Sequence, residues 1–215
     1  KDGVTIKIRK YIPVAAGMAG GSTDAAAVLV GVNRMFDLGF TKKELMERGV
    51  KLGADVPYCI MRGTALSEGI GEILTELPAP PQCHLVIAKP QISVSTKAVY
   101  GKLRVNELAP EEHPDIDGMM AAIKNGDLDG VIGRLGNVLE TVTVPDHPEI
   151  AEIKEIMVEN GACGSLMSGS GPTVFGIYKD RELAEKACQT LREADGGRLT
   201  RQVYLTEFYN RKKAR

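Results

Sequence analysis

Three prolines in four residues, Pro78-Ala-Pro-Pro81, constrain this chain more than any other feature, because neither a helix nor a central strand runs through such a cluster. The cluster predicts two domains, residues 1–80 and 81–215. A length of 215 residues is enough for two small domains or one large one, and 43% apolar with 26% charged residues is ordinary globular composition. Fibrous, disordered and membrane-spanning readings are thereby excluded. Lys plus Arg at 27 against Asp plus Glu at 28 leaves a formal charge of -1. No strong field recruits nucleic acid or an anionic membrane, so the expected partner is a small molecule. The four cysteines, Cys59, Cys83, Cys163 and Cys188, form no C-x-x-C pair and no dense even framework, which reads as buried thiols in a reducing cytoplasm.

Val4, Ile6 and Ile8 alternate as a strand does, and Lys1 stands where an initiator Met would be expected, so the beginning reads as cut. After the small residues Pro13 to Thr23, an apolar stripe at Ala25, Val28, Leu29, Val32 and Phe36 predicts a helix opening at Asp24. Thr41 and Glu44 make a capping box for a second helix that turns Leu45, Met46 and Leu52 inward and ends near Gly53. Strand-like runs at 64–68 and 72–77 flank Gly69-Ile-Gly71 and predict a hairpin. Beyond the prolines, Leu85 to Ala88 reads as a buried strand. Helices are expected around 95–104, 117–124, 127–140 and 148–159, then strands at 164–167 and 173–178, a helix capped by Asp180, and a last strand at 202–206. With the intervening helices taken as one layer, the order is β-α-β-β-α-β, a ferredoxin-like half. The basic tail, Arg211 to Arg215, reads as a solvated end.

Chemistry concentrates in three segments. Gly17, Gly20 and Gly21, followed by Ser22, Thr23 and a helix, place bare amides and two hydroxyls at a positive helix end, where phosphate is the natural guest. Gly21 stands where a Walker A loop needs Lys, and the spacing is not G-x-G-x-x-G, so both common nucleotide loops are excluded. A tight turn capped by Ser22 or Asp24 accounts for the composition equally well. Asp24 would repel a triphosphate unless a cation such as Mg²⁺ intervened. In Gly53-Ala-Asp55-Val-Pro57, Asp55 is either a general base on a rigid junction or a helix N-cap, and spacing favours the cap. The run Gly161 to Pro172 is too rich in glycine for an ordinary hairpin. It is either backbone packed against a loop or ligand, or a flexible turn.

Taken in this order, Pro13–Asp24, Gly53–Pro57 and Ser168–Thr173 resemble the second motif, the catalytic-Asp segment and the third motif of the GHMP small-molecule kinases. Ile12–Ser22, Leu52–Pro57, Gly63–Glu72 and Ile92–Thr96 extend the resemblance to the branch that phosphorylates a cytidine-diphosphate-linked sugar alcohol in non-mevalonate isoprenoid synthesis. The likeness covers nearly the whole chain. It implies an α+β fold of two domains, a ribosomal-S5-like N-terminal part, truncated here, and a ferredoxin-like C-terminal domain. It further implies ATP and Mg²⁺ as cofactors and γ-phosphate transfer to the tertiary 2-hydroxyl of the methylerythritol unit. The ATP loop would comprise Pro13, Val14, Ala15, Ala16, Gly17, Met18, Ala19, Gly20, Gly21, Ser22 and Thr23, with the Ser22 hydroxyl as a metal contact. Asp55 would take the substrate's proton. Thr96 and Tyr100 would meet the cytidine end, Tyr100 by stacking rather than as a half-buried helix residue, and Gly169 to Gly171 would support the ATP loop. A cytoplasmic monomer or weak homodimer is expected.

Two departures stand out. Thr23 replaces a second Ser and keeps the hydroxyl. The family's Pro-x-Lys motif has no counterpart before Val4, and Lys1, Lys7 and Lys10 cannot replace it, since they sit in the strand that leads into the ATP loop. The chain by itself is therefore expected to be a poor kinase prone to associate, and about 70 to 80 further residues upstream would complete a usual two-domain size. Rival readings are another GHMP-type substrate, such as homoserine, galactose or a mevalonate derivative, and a non-catalytic nucleotide-binding remnant.

Overall fold

In the computed structural model, which describes residues 3–209, the chain divides into two units, one of Lys1–Val14 and Met18–Thr75, the other of Ala15–Gly17 and Glu76–Arg215. The basic tail lies outside the described residues, as does Lys1.

The first unit is built on three helices and a hairpin. Helix α1 (Gly20–Met35) begins four residues before Asp24, so the last two glycines of the small-residue segment form its first turn. Its Ala26, with Ala25, Leu29 and Val30, packs on Leu45, Val56 and Ile60, whereas Phe36 lies at the exposed end of the stripe. Helix α2 (Lys42–Gly49) carries the capping box: Glu44 N donates to Thr41 Oγ1 at 3.2 Å and Thr41 N donates to Glu44 Oε2 at 2.8 Å. It stops at Gly49 rather than near Gly53, and Leu52, beyond its end, faces solvent. Helix α3 (Val56–Met61) buries Val56, Pro57, Ile60 and Met61. Strands β1 (Thr64–Glu68) and β2 (Ile73–Leu77) form the expected two-stranded sheet, and the division between the units falls within β2, after Thr75. The alternating residues Val4, Ile6 and Ile8 are exposed and join no ladder among the described residues. Alternation gives a segment the surface of a strand, but a strand exists only where a neighbour takes its amides and carbonyls.

The second unit holds a four-stranded antiparallel sheet. Strand β3 (His84–Pro90) is followed by α4 (Thr96–Lys102), α5 (Ile116–Asn125), α6 (Leu128–Ile132), α7 (Glu140–Asp146) and α8 (Glu149–Glu159). Then come β4 (Gly164–Met167), β5 (Val174–Tyr178), α9 (Arg181–Glu193) and β6 (Thr200–Glu207). The strand order β4-β5-β3-β6 is that of the ferredoxin-like half. Val86 and Ala88 of β3 face a core with Ile150, Ile153 and Met157 of α8 and Ala184, Ala187 and Leu191 of α9, while Leu85 and Ile177 face Leu128, Ile132 and Leu135. Burial on both faces explains the unbroken apolar run in β3. Each fully buried Ile or Met of α8 contributes about 1.5–3 kcal/mol. Asp180 caps α9 as expected, its Oδ1 accepting from Glu182 N at 2.7 Å and Leu183 N at 3.1 Å. The expected helix over 127–140 is instead α6, a loop, and α7. Gly133 and Gly136 disfavour a continuous helix, and Asn137 turns its side chain to other backbone. All four cysteines are free. Cys83 and Cys188 are buried and Cys59 is half-buried, but Cys163 is exposed, contrary to the reading of four buried thiols. No described helix is long and apolar enough to cross a membrane.

Candidate active site

Ala19, at the N-cap of α1, is left-handed (φ 47°) and supplies no side-chain cap. The first bond of the helix type is Thr23 N to Ala19 O at 2.9 Å, so the amides of Gly20, Gly21 and Ser22 have no partner within the helix. Neither Ser22 nor Asp24 caps the helix. Gly20 is buried against Ile12, Gly21 is exposed with nothing within 4 Å of where its Cβ would stand, and Ser22 is half-buried. Thr23 Oγ1 donates to Ala19 O at 3.0 Å and lies 3.5 Å from Cys59 Sγ, which ties α1 to α3. Burial raises the Cys59 pKa, countered in part by the bond to Thr23, while Asp55 adds to the rise. A helix mouth whose first amides lack helix partners, with open space at Gly21 and no acidic residue in its first turn, is chemically fit for phosphate oxygens.

The cation that answers Asp24 is within the chain. Lys10 Nζ donates to Asp24 Oδ2 at 2.5 Å, both side chains about one-third exposed. A divalent ion is therefore not required to relieve Asp24. Lys10 itself lies in an unpaired segment, not in a strand.

Asp55 occupies the N-cap position of α3, yet its side chain makes no cap hydrogen bond and the residue is exposed. The cap reading favoured by spacing is thus overturned: backbone at φ -81°, ψ -11° is helical rather than the extended geometry that points a carboxylate back at the next amides. The backbone just before Asp55 passes the helix mouth, and Gly71 passes the carboxylate. A Cβ on Gly53, two residues earlier, would sit 3.9 Å from Ser22 Oγ, and one on Gly71 would sit 3.9 Å from Asp55 Oδ1. Pro13, Val14 and Met18 flank the glycines, Pro13 and Met18 half-buried and Val14 exposed.

Ala15, Ala16 and Gly17 belong to the second unit, where the third glycine-rich segment receives them. Ser168 Oγ donates to Gly17 O at 2.8 Å. Gly17 is left-handed (φ +69°), and a Cβ there would fall 2.2 Å from Ser168 O and 3.0 Å from Gly171 O. Both its dihedral and its contacts demand glycine. The loop that holds it is fixed in turn: Asn137 Nδ2 donates to Met167 O at 2.9 Å and Gly169 O at 2.8 Å, and Leu139 N donates to Asn137 Oδ1 at 3.0 Å. Glu140 Oε1 accepts from Met167 N at 2.7 Å while its Oε2 accepts from Lys154 at 2.6 Å. Ser170 and Thr173 are buried, so the flexible-turn reading fails. Sequence reasoning missed Asn137, and its one available signal was a lone Asn after Gly133 and Gly136 in an otherwise helical pattern. Thr96 and Tyr100 stand one turn apart on α4 and so share a face. Tyr100 is 61% exposed, which rules out its being a half-buried helix residue.

Among the described residues no cluster of three or more His, Cys, Asp or Glu is arranged to hold a metal. Mg²⁺ that is held mainly through phosphate oxygens and water needs only one or two protein oxygens, and the Ser22 hydroxyl at the helix mouth fits that demand.

Residues 1–63 match the family described as GHMP kinases N terminal domain and residues 119–196 that described as GHMP kinases C terminal. The chain is 56% identical over 207 residues to 4-diphosphocytidyl-2-C-methyl-D-erythritol kinase of Lachnospira eligens, covering 96% of this chain and 70% of that protein. To the protein of the same name from Lachnoclostridium phytofermentans it is 52% identical over 211 residues, 98% of this chain and 71% of that one. A crystal structure of 4-(cytidine 5'-diphospho)-2C-methyl-D-erythritol kinase superposes with TM-score 0.75 at 30% identity, over 92% of this chain and 68% of the other. Homoserine kinase from Cytophaga hutchinsonii superposes with TM-score 0.78 at 21% identity, over 92% and 67%, which shows the shared fold. On this identity and coverage, the chain belongs to the GHMP kinases, within the 4-diphosphocytidyl-2-C-methyl-D-erythritol kinase family.

Proposed function

We infer that this protein transfers the γ-phosphate of ATP to the 2-hydroxyl of 4-diphosphocytidyl-2-C-methyl-D-erythritol, a step of non-mevalonate isoprenoid precursor synthesis. The observation that carries the reading is the uncapped mouth of α1, with the uncapped carboxylate of Asp55 in the same unit. ATP would supply the phosphoryl group, its bond from the γ-phosphorus to the bridging oxygen breaking so that ADP leaves, and Mg²⁺ would neutralise the charge on the phosphate oxygens. Within the chain, the amides of Gly20, Gly21 and Ser22 bind and orient phosphate oxygens, and the Ser22 hydroxyl holds the metal. Pro13 through Thr23 form the ATP loop, given its shape by the anchored Gly17. Asp55 Oδ accepts the proton of the attacking alcohol, so the oxygen gains nucleophilicity as it approaches phosphorus. Phosphoryl transfer draws most of its acceleration from such alignment and charge neutralisation. Thr96 and the exposed ring of Tyr100 recognise the cytidine end, the ring by stacking on the base. Residues 1–80 form the ATP-binding domain and 81–215 the C-terminal domain of a cytoplasmic enzyme that works as a monomer or weak homodimer.

The test is product formation from ATP and the cytidyl alcohol by the natural full-length chain. Appearance of the 2-phosphate, inhibited by CMP, is the expected result, and turnover of homoserine, galactose or a mevalonate derivative in its place would overturn the substrate. Asp55→Asn should lower kcat by at least ~10²-fold with nucleotide affinity nearly unchanged, as removal of a general base does. Near-normal turnover would reduce Asp55 to a junction residue.

A further inference from the structure

The loop that anchors Gly17 has a second attachment, and it reaches α4. Ser170, 5% exposed, places its Oγ 2.8 Å from Thr96 Oγ1, and either hydroxyl is able to donate. The Ser170 carbonyl accepts from Thr143 Oγ1 at 3.3 Å. On the other side of Gly169, Ser168 Oγ holds Gly17 O, and Gly171 N donates to Ser168 O at 2.9 Å, closing a tight turn around Ser170. From Thr96 to Gly17 there is thus a continuous path of one hydroxyl pair, one short turn and one side-chain-to-carbonyl bond. All of it lies within the second unit.

We propose that Ser170 is a positioning residue whose hydroxyl couples the acceptor site at Thr96 to the ATP loop at Gly17, so that a bound cytidine-diphosphate alcohol tightens the hold on ATP. The proposal rests on the assignment of Thr96 to the acceptor and of Pro13–Thr23 to ATP made above. Its physical content is simple. A Thr hydroxyl has one proton and two lone pairs, so a ligand that engages Thr96 fixes which way its bond to Ser170 runs. Fixing that bond removes a freedom of the turn that carries Ser168, and with it a freedom of Gly17. Nucleotide binding then orders less, which is cooperativity between two sites and is reciprocal.

Calorimetry with a non-hydrolysable ATP analogue, with and without saturating cytidyl alcohol, reads the coupling directly in the full-length protein. The wild type should bind the analogue about 2–10-fold more tightly with acceptor present, the factor carried by one neutral hydrogen bond. The acceptor's own affinity should rise by the same factor when the analogue is bound. Ser170→Ala should bring that factor close to one while each ligand alone binds within about 2-fold of wild type, and Ser170→Thr, which keeps the hydroxyl, should restore it. A merely structural Ser170 would shift both binary affinities and leave the factor intact. Should Ser170→Ala melt early, Ser170→Cys keeps the volume, weakens the hydrogen bond and gives the same readout. Equal coupling in wild type and variant, or none in the wild type, overturns the proposal alone. Absence of acceptor binding in the wild type overturns the functional reading and the coupling with it.

Discussion

Where the first glycine-rich loop runs into α1, three consecutive amides lack helix partners and the space beside Gly21 is open; in the loop between β4 and β5, the carbonyls of Ser168, Gly169 and Ser170 and both serine hydroxyls are engaged by neighbouring side chains or backbone. Both loops are rich in glycine, and composition does not separate them. The difference teaches what glycine is used for in each. In the first, the absence of a side chain leaves room for something that is not protein. In the second, it lets protein approach protein, and Gly17 against Ser168 and Gly20 against Ile12 are points where the first loop is handled in the manner of the second.

That contrast is open to attack by substitution. The largest effect is expected at Gly17. Gly17→Ala forces a methyl group against Ser168 O at a left-handed backbone position, so it should cost at least ~2–3 kcal/mol of stability. Thermal denaturation checks this. Gly21→Ala should do the reverse: stability should hold or rise by ~0.5–1 kcal/mol, since alanine favours helix, while nucleotide affinity falls. A Gly21→Ala protein with unchanged nucleotide binding would show that the open space is not a phosphate seat.

Asn137→Asp comes next. It turns two donors into acceptors that face two carbonyls, and should cost ~1–3 kcal/mol, read as a fall in Tm of several degrees. Because Gly169 sits in the turn that holds Gly17, the KM for ATP should rise as well. Lys10→Met leaves Asp24 unneutralised near the helix mouth. Because the pair is partly exposed, nucleotide affinity should fall by no more than about 5-fold, with the effect fading at high salt. Lys10→Met with Asp24→Asn should recover it.

The smallest effect separates the rigid region from the open one by pH. Burial pushes the Cys83 thiol up to about 11, and burial also raises Tyr178, whose hydroxyl donates to Met157 O at 3.1 Å. Both keep their protons in the folded state at pH values where the unfolded chain has released them, above about 9 for the thiol and 10 for the phenol. The folded state then binds more protons, so stability falls as pH rises from 9 toward 11. Buried Lys89 acts with the opposite sign, its pKa lowered by desolvation and by Arg201. The net decline in Tm between pH 8 and 10.5 should be about 2–4 °C, and Tyr178→Phe should lessen it.

Much of this molecule was legible in the sequence, and the legible parts share a property. The Thr41–Glu44 capping box, the Gly69–Gly71 hairpin, the Asp180 cap and the alternation of the second half all depend on residues within a few positions of each other. The three motif segments were legible as well, because glycine and proline mark backbone geometry directly. What failed were readings that needed a partner. Val4 to Ile8 alternate but pair with nothing described, Asp55 stands at a cap position without capping, and the stretch 127–140 breaks so that Asn137 is free to reach β4.

The sequence by itself determined where glycine-lined backbone meets a helix, which half carries the β-α-β-β-α-β order, and which carboxylate stands at a junction. Only the tertiary structure decided that Lys10 answers Asp24, that Ser168 holds Gly17 across 151 positions, and that Ser170 meets Thr96. Local rules reach three or four residues along the chain, whereas these hydrogen bonds form only once the packing within each unit has brought distant segments within 3 Å of each other.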